Sequence, residues 1–138
     1  MFFSKKKEKS DNNSYLVKIA ALLIHAAKID ENYSDKEEEI IKKTLLDLGT
    51  NQNNLETLIT KAKLSEENAN QILDFTREIK SLKEVDKIKI IKSLWRIIYS
   101  NKDADMYETN LMRRLSGLLY IDSKTMGDIK EQIKKENL

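Results

Sequence analysis

Apolar residues recur at steps of three and four along almost the whole chain, and no proline interrupts them. From Tyr15 to Ile29 the series is Leu16, Ile19, Ala20, Leu23, Ala26 and Ala27, the spacing of one wide buried stripe on a helix. Ser34 to Leu48 repeats it with Ile40, Ile41, Thr44, Leu45 and Leu48, and Gly49 stands where a helix C-cap belongs. A shorter helix is predicted over about 52–62 with Leu55, Leu58 and Ile59, followed by one that Ser65 would cap and that carries Ile72, Leu73, Phe75 and Ile79. Near Glu84 a strongly amphipathic run begins (Val85, Ile88, Ile91, Leu94, Trp95, Ile98), and Met106 to Leu119 follows with Leu111, Met112, Leu115, Leu118 and Leu119 inward. Asp122 or Ser123 would cap a last helix containing Met126, Ile129 and Ile133. No segment sustains strand alternation, so the pattern predicts an all-α bundle of about seven helices with short connections.

The helices form a weak repeat. Moving residue 30 onto residue 101, a shift of 71, places Leu23 on Leu94, Ile24 on Trp95, Glu37 on Glu108, Ile40 on Leu111, Ile41 on Met112, Lys42 and Lys43 on Arg113 and Arg114, and Leu48 on Leu119. Two pseudo-symmetric helix hairpins share one pattern. Residues 14–138 read as a single domain, preceded by a flexible basic tail over 1–13.

Composition excludes several classes. With no Cys there is no disulfide framework, no thiolate nucleophile and no Cys-based zinc site, and the single His25 cannot form a histidine cluster. The chain has 25 Lys and Arg against 23 Asp and Glu, a formal net charge of +2, so no field of one sign drives nucleic-acid binding. No uncharged run approaches the roughly 18 residues that span a bilayer. The N-terminus places Phe2 and Phe3 before Lys5, Lys6 and Lys7, the reverse of a secretory signal, and is expected in the cytoplasm. Those five residues are also the candidate peripheral contact with the inner face of a membrane.

The hairpin loops carry the remaining signal. Residues 30–37 read DENYSDKE and residues 101–108 read NKDADMYE. Ser34 to Glu37 is a capping box, and Asp105 with Glu108 offers the same frame. Capping leaves Asp30, Asn32, Asn101 and Asp103, alternate oxygen-bearing residues that suit a hard divalent cation. A calcium EF-hand is excluded, because its sixth loop position holds Asp35 or Met106 in place of Gly, and its twelfth holds Ile41 or Met112 in place of a carboxylate.

These same segments carry a family likeness. LWRIIYSNKDADMYETNLMRRLSGLLYIDSK, residues 94–124, resembles the second hairpin of the tellurite-resistance TerB-like family, especially its small stand-alone bacterial members, through Tyr107-Glu108 and Arg113-Arg114-Leu115. HAAKIDENYSDKEEEIIKKTL looks like the family's first signature, with Asp30 and Glu37 in its acidic positions. The likeness covers roughly residues 14–135. Glu31 stands where the family has Gly, and Asn101-Lys102 replace Asp-Gly. The resemblance implies a non-enzymatic, stress-associated module that binds a partner protein or a membrane from the cytoplasm. It also implies a metal site at Asp30, Glu37 and Glu108, with Asn101 as the degraded fourth position.

Two other classes have less behind them. Glu37 and Glu108 in one site would supply the acid and base of a hydrolytic or other metal-dependent enzyme, but no phosphate loop, nucleophile elbow or His partner accompanies them. Lys42, Lys43, Arg113 and Arg114 with Trp95, Tyr99 or Tyr107 would make a nucleic-acid surface. The apolar face that Trp95 shares with Ile98 reads instead as core.

Overall fold

The computed structural model describes residues 2–29, 33–100 and 106–136, with side chains described from Tyr15 onward. Among them are seven α-helices and no strand: α1 (Phe2–Lys28), α2 (Asp35–Asp47), α3 (Leu55–Asn68), α4 (Leu73–Ile79), α5 (Glu84–Tyr99), α6 (Met106–Leu118) and α7 (Ser123–Glu136). A single 3-10 turn, Gln52–Asn54, leads into α3. The all-α architecture is as the periodicity requires.

Two apolar helices organise the bundle. α1 packs against α2, α3, α4 and α5, and α5 packs against α1, α2 and α7. Their buried faces meet in one core that includes Ile19, Leu22, Leu23, Ile90, Ile91, Leu94 and Ile97, each with essentially no exposed surface. Residues that touch this many neighbours are the ones whose truncation removes several kcal/mol, so these two helices set the frame for the others. No helix among the described residues is long and apolar enough to cross a membrane.

Two boundaries differ from the sequence pattern. The backbone is helical from Phe2, where the pattern predicts a helix from Tyr15 behind a tail over 1–13. No Gly or Pro lies between Phe2 and Tyr15 to stop it. Ser65 lies inside α3 and caps nothing, because Lys61 to Glu67 are mostly good helix formers that carry α3 on to Asn68. The break falls instead at Ala69 to Ile72, where the Asp74 carboxylate accepts from the amides of Asn70 and Gln71 at 3.2 and 3.4 Å.

The repeat is more extensive than a pair of hairpins. A shift of 71 carries the end of α1 at Lys28 onto the end of α5 at Tyr99, and both ends of α2 onto both ends of α6. It also carries Leu55, Leu58 and Ala62 of α3 onto Met126, Ile129 and Ile133 of α7, all six buried. The unit is therefore three helices, α1 to α3 and α5 to α7, with α3 lying on α1 as α7 lies on α5.

Candidate functional site

α2 begins with the predicted capping box. Ser34 is extended (φ −94°, ψ 163°), its Oγ accepts from the Glu37 amide at 3.2 Å, and Glu37 Oε1 accepts from the Ser34 amide at 2.8 Å. The Ser34 hydroxyl also donates to Oε1 at 3.0 Å. This frame satisfies orphan amides at the positive end of the helix dipole and turns the glutamate back against the bundle. Glu37 is consequently 1% exposed, and Glu108, at the matching position of α6, is 4% exposed. Buried carboxylates need compensation by hydrogen bonds, cations or metals, which makes this pair the chemically informative feature of the two hairpins.

Of the four site residues read from the sequence, the structure places these two glutamates at equivalent first-turn positions of related helices. Asp30 and Asn101 lie outside the described residues, as do Asn32, Asp103 and the predicted cap Asp105. Among the described residues no group of three or more His, Asp or Glu side chains is close enough together to hold a metal ion. Glu37 and Glu108 are the two of these four residues whose side chains the structure describes.

Beside Glu37, the neighbouring Glu38 is the hub of an ion-pair network that ties α2 to α3. Its carboxylate takes the Tyr33 hydroxyl at 3.2 Å, Lys63 at 3.2 Å and Lys42 at 3.7 Å, and Lys42 continues to Glu56 at 2.8 Å. Burial alone would raise the Glu38 pKa, but Lys63 and Lys42 outweigh it and hold the carboxyl below 4.5. The Tyr33 phenol is pushed up, first by burial and then by the charge on Glu38. Lys63 also sits 5.5 Å above the Tyr33 ring.

This network answers the nucleic-acid reading in part. Lys42 is taken up by Glu38 and Glu56, and Trp95 is 2% exposed and stacked on Tyr99 at 5.8 Å, so neither is presented for stacking or phosphate contact. His25 sits at the boundary of α1, as its helical position implies. Its Nδ1 lies 3.2 Å from Glu66, which also takes Lys28 at 2.7 Å, and its ring stands 6.0 Å from Phe75.

The sequence reading placed a C-cap at Gly49 but missed its counterpart at the end of α6. Gly49 has φ +105° and Tyr120 φ +58°, and the two are 71 residues apart. Each closes the same pair of bonds. Gly49 N donates to Leu46 O at 3.0 Å and Thr50 N to Leu45 O at 3.0 Å, while Tyr120 N donates to Gly117 O at 3.3 Å and Ile121 N to Ser116 O at 2.9 Å. Both are Schellman caps, one on the expected Gly and one on a Tyr. The second is braced by Lys87, 6% exposed, whose Nζ donates to the Leu119 carbonyl at 2.9 Å and lies 5.6 Å from the Tyr120 ring. Lys87 breaks the apolar spacing of α5, which is the signal that would have revealed it.

The family model described as "Tellurite resistance protein TerB" matches residues 16–131 of the chain. No curated protein and no solved structure matches it.

Proposed function

The chain belongs to the TerB family, and we propose that it serves there as a non-enzymatic, stress-associated binding module whose hairpin loops take up a divalent cation. The observation that carries this reading is the burial of Glu37 and Glu108 at equivalent positions of the repeat, next to loops rich in short oxygen-bearing side chains. Asp30 and Asn101 are the loop donors that would join them. Glu37 is engaged as a cap, which suits a fixed ligand oxygen better than an acid or base that must exchange protons.

Occupancy of such a site would tie the end of α1 to the start of α2 and alter the surface the hairpin offers to a partner protein. The location we propose is the cytoplasm, with Phe2, Phe3, Lys5, Lys6 and Lys7 as the candidate peripheral contact with the inner face of the membrane.

The test is thermal unfolding of metal-stripped protein with excess calcium, magnesium, manganese or zinc, repeated on an Asp30→Ala, Glu37→Ala double variant. A specific site adds RT ln(1 + [L]/Kd), about 2.7 kcal/mol at a hundredfold excess over Kd, and raises Tm by several degrees. The reading stands if one ion produces that rise and the double variant abolishes it. It fails if no ion moves Tm while the variant melts lower for want of its cap.

A further inference from the structure

The two repeats differ at one end of the bundle. In the second, Lys87 and Tyr120 close over the end of α6, the ammonium on the Leu119 carbonyl and the ring beside it. The shift of 71 replaces these two residues by Leu16 and Gly49 in the first repeat, so the lysine stem, its charge and the aromatic ring are all missing there. A Cβ built on Gly49 meets nothing within 4 Å. The space is a cavity of about 480 Å³, bounded by Leu16 and Val17 of α1, Leu48 and Gly49 at the end of α2, and Leu58 and Lys61 of α3. That volume falls within the range of small-molecule sites.

The charges differ as well as the shape. Asp86, Asp122 and Asp128 of the second repeat correspond to Tyr15, Asn51 and Thr57, all three of which line the cavity, and Gln132 corresponds to Lys61. The second repeat thus carries acids at three positions that match the cavity wall, and has its own cation, Lys87, at the position of Leu16. The first replaces those acids with neutral side chains and adds a cation at the rim. Lys61 is exposed and forms no ion pair among the described residues, and no acidic side chain is among those that line the cavity. The Thr50 hydroxyl, in the cavity wall, is buried without a hydrogen-bond partner.

From this inverted pair we infer that the first-repeat cavity binds an amphipathic carboxylate. Its apolar tail lies against Leu16, Val17, Leu48 and Leu58, and its carboxylate meets Lys61 and the side-chain amides of Asn51 and Asn54. A carboxylate suits a lysine with adjacent amide donors, and an apolar tail suits a floor of aliphatic side chains that the second repeat covers with its own. This site is separate from the acidic loops, and its test does not depend on theirs.

The experiment is a titration of the full chain with sodium decanoate, followed by amide correlation spectra, with decanol and decyltrimethylammonium as neutral and cationic matches. Decanoate is expected to saturate at one equivalent and to shift the Gly49 amide and the side-chain amides of Asn51 and Asn54. Lys61→Glu, an exposed substitution, should weaken it at least tenfold with an unchanged circular dichroism spectrum, and Thr57→Trp should block it. Equal binding of all three probes, or no effect of Lys61→Glu, would overturn the anion assignment. Shifts that never saturate and spread to exposed Leu64, Val85 and Tyr120 would overturn the site itself.

Discussion

Gly49→Ala isolates the energy of one backbone angle. A Cβ at Gly49 meets nothing within 4 Å, and the same holds at Gly117 and Gly127, so in none of the three does the new methyl gain or lose packing. Only Gly49 has positive φ, +105°. Left-handed backbone costs a non-glycine residue roughly 1–2 kcal/mol. Alanine returns about 0.4–1 kcal/mol by restricting the unfolded chain. The net loss is about 1 kcal/mol, which for a chain of 138 residues lowers Tm by roughly 3–5 °C. Gly127→Ala, inside α7, has only the favourable part and should gain about 0.5–1 kcal/mol. The two variants, melted side by side by circular dichroism and checked by urea unfolding, should therefore move in opposite directions. A neutral or stabilising Gly49→Ala, or a destabilising Gly127→Ala, would refute the claim that φ alone separates them.

Lys87→Met keeps the stem but leaves the Leu119 carbonyl without its donor, and should cost about 1–3 kcal/mol in urea unfolding. Ser34→Ala removes the acceptor for the Glu37 amide and should cost about 1 kcal/mol by the same measurement. Burial would raise the Glu66 pKa, but hydrogen bonds and charge from Lys28 and His25 hold it below 4.5. A depressed carboxylate contributes stability above its unfolded pKa and loses it as pH falls through the folded one. Glu66→Gln should therefore lower the urea midpoint at neutral pH, and the gap from the parent should close as the solution is acidified below 4.5. A gap independent of pH would remove the carboxylate's charge from the account.

Local chemistry was legible where one or two neighbouring residues suffice to decide it. Ser34 with Glu37, Gly49 and Asp122 each announced a cap, and the last is seen as Asp122 Oδ1 accepting from the Thr125 amide at 2.6 Å. The 71-residue repeat was visible because helix boundaries and buried positions are conserved in register even where side chains differ. What escaped was set by contacts distant in sequence. The end of α3 is the exception, a local miss, because Ser65 suits a cap while the helix formers from Lys61 to Glu67 carry the helix past it. The left-handed Tyr120 was missed because its bracing partner, Lys87, lies 33 positions earlier in another helix, where its one sign is a break in the apolar spacing. The cavity was hidden for the same reason, since it is defined by what Leu16 and Gly49 lack. As for the loops, Ser34 and Glu37 were readable as a cap, while Asp30 and Asn101 lie outside the described residues.

The hydroxyls of Thr44 and Ser93 are hydrogen-bonded to each other where α2 meets α5, both side chains being buried. Under the shift of 71, Thr44 becomes Leu115 and Ser93 corresponds to Leu22, so the symmetric contact would be leucine on leucine. A chain built from two similar halves can dock its helices the wrong way round, or exchange them with a second copy. Any such exchange would set the Ser93 hydroxyl against leucine, at about 1–3 kcal/mol for the unsatisfied group, while Thr44 keeps its bond to the Ile40 carbonyl at 2.9 Å. This single pair acts as a label of identity. It helps the folding chain tell its first half from its second.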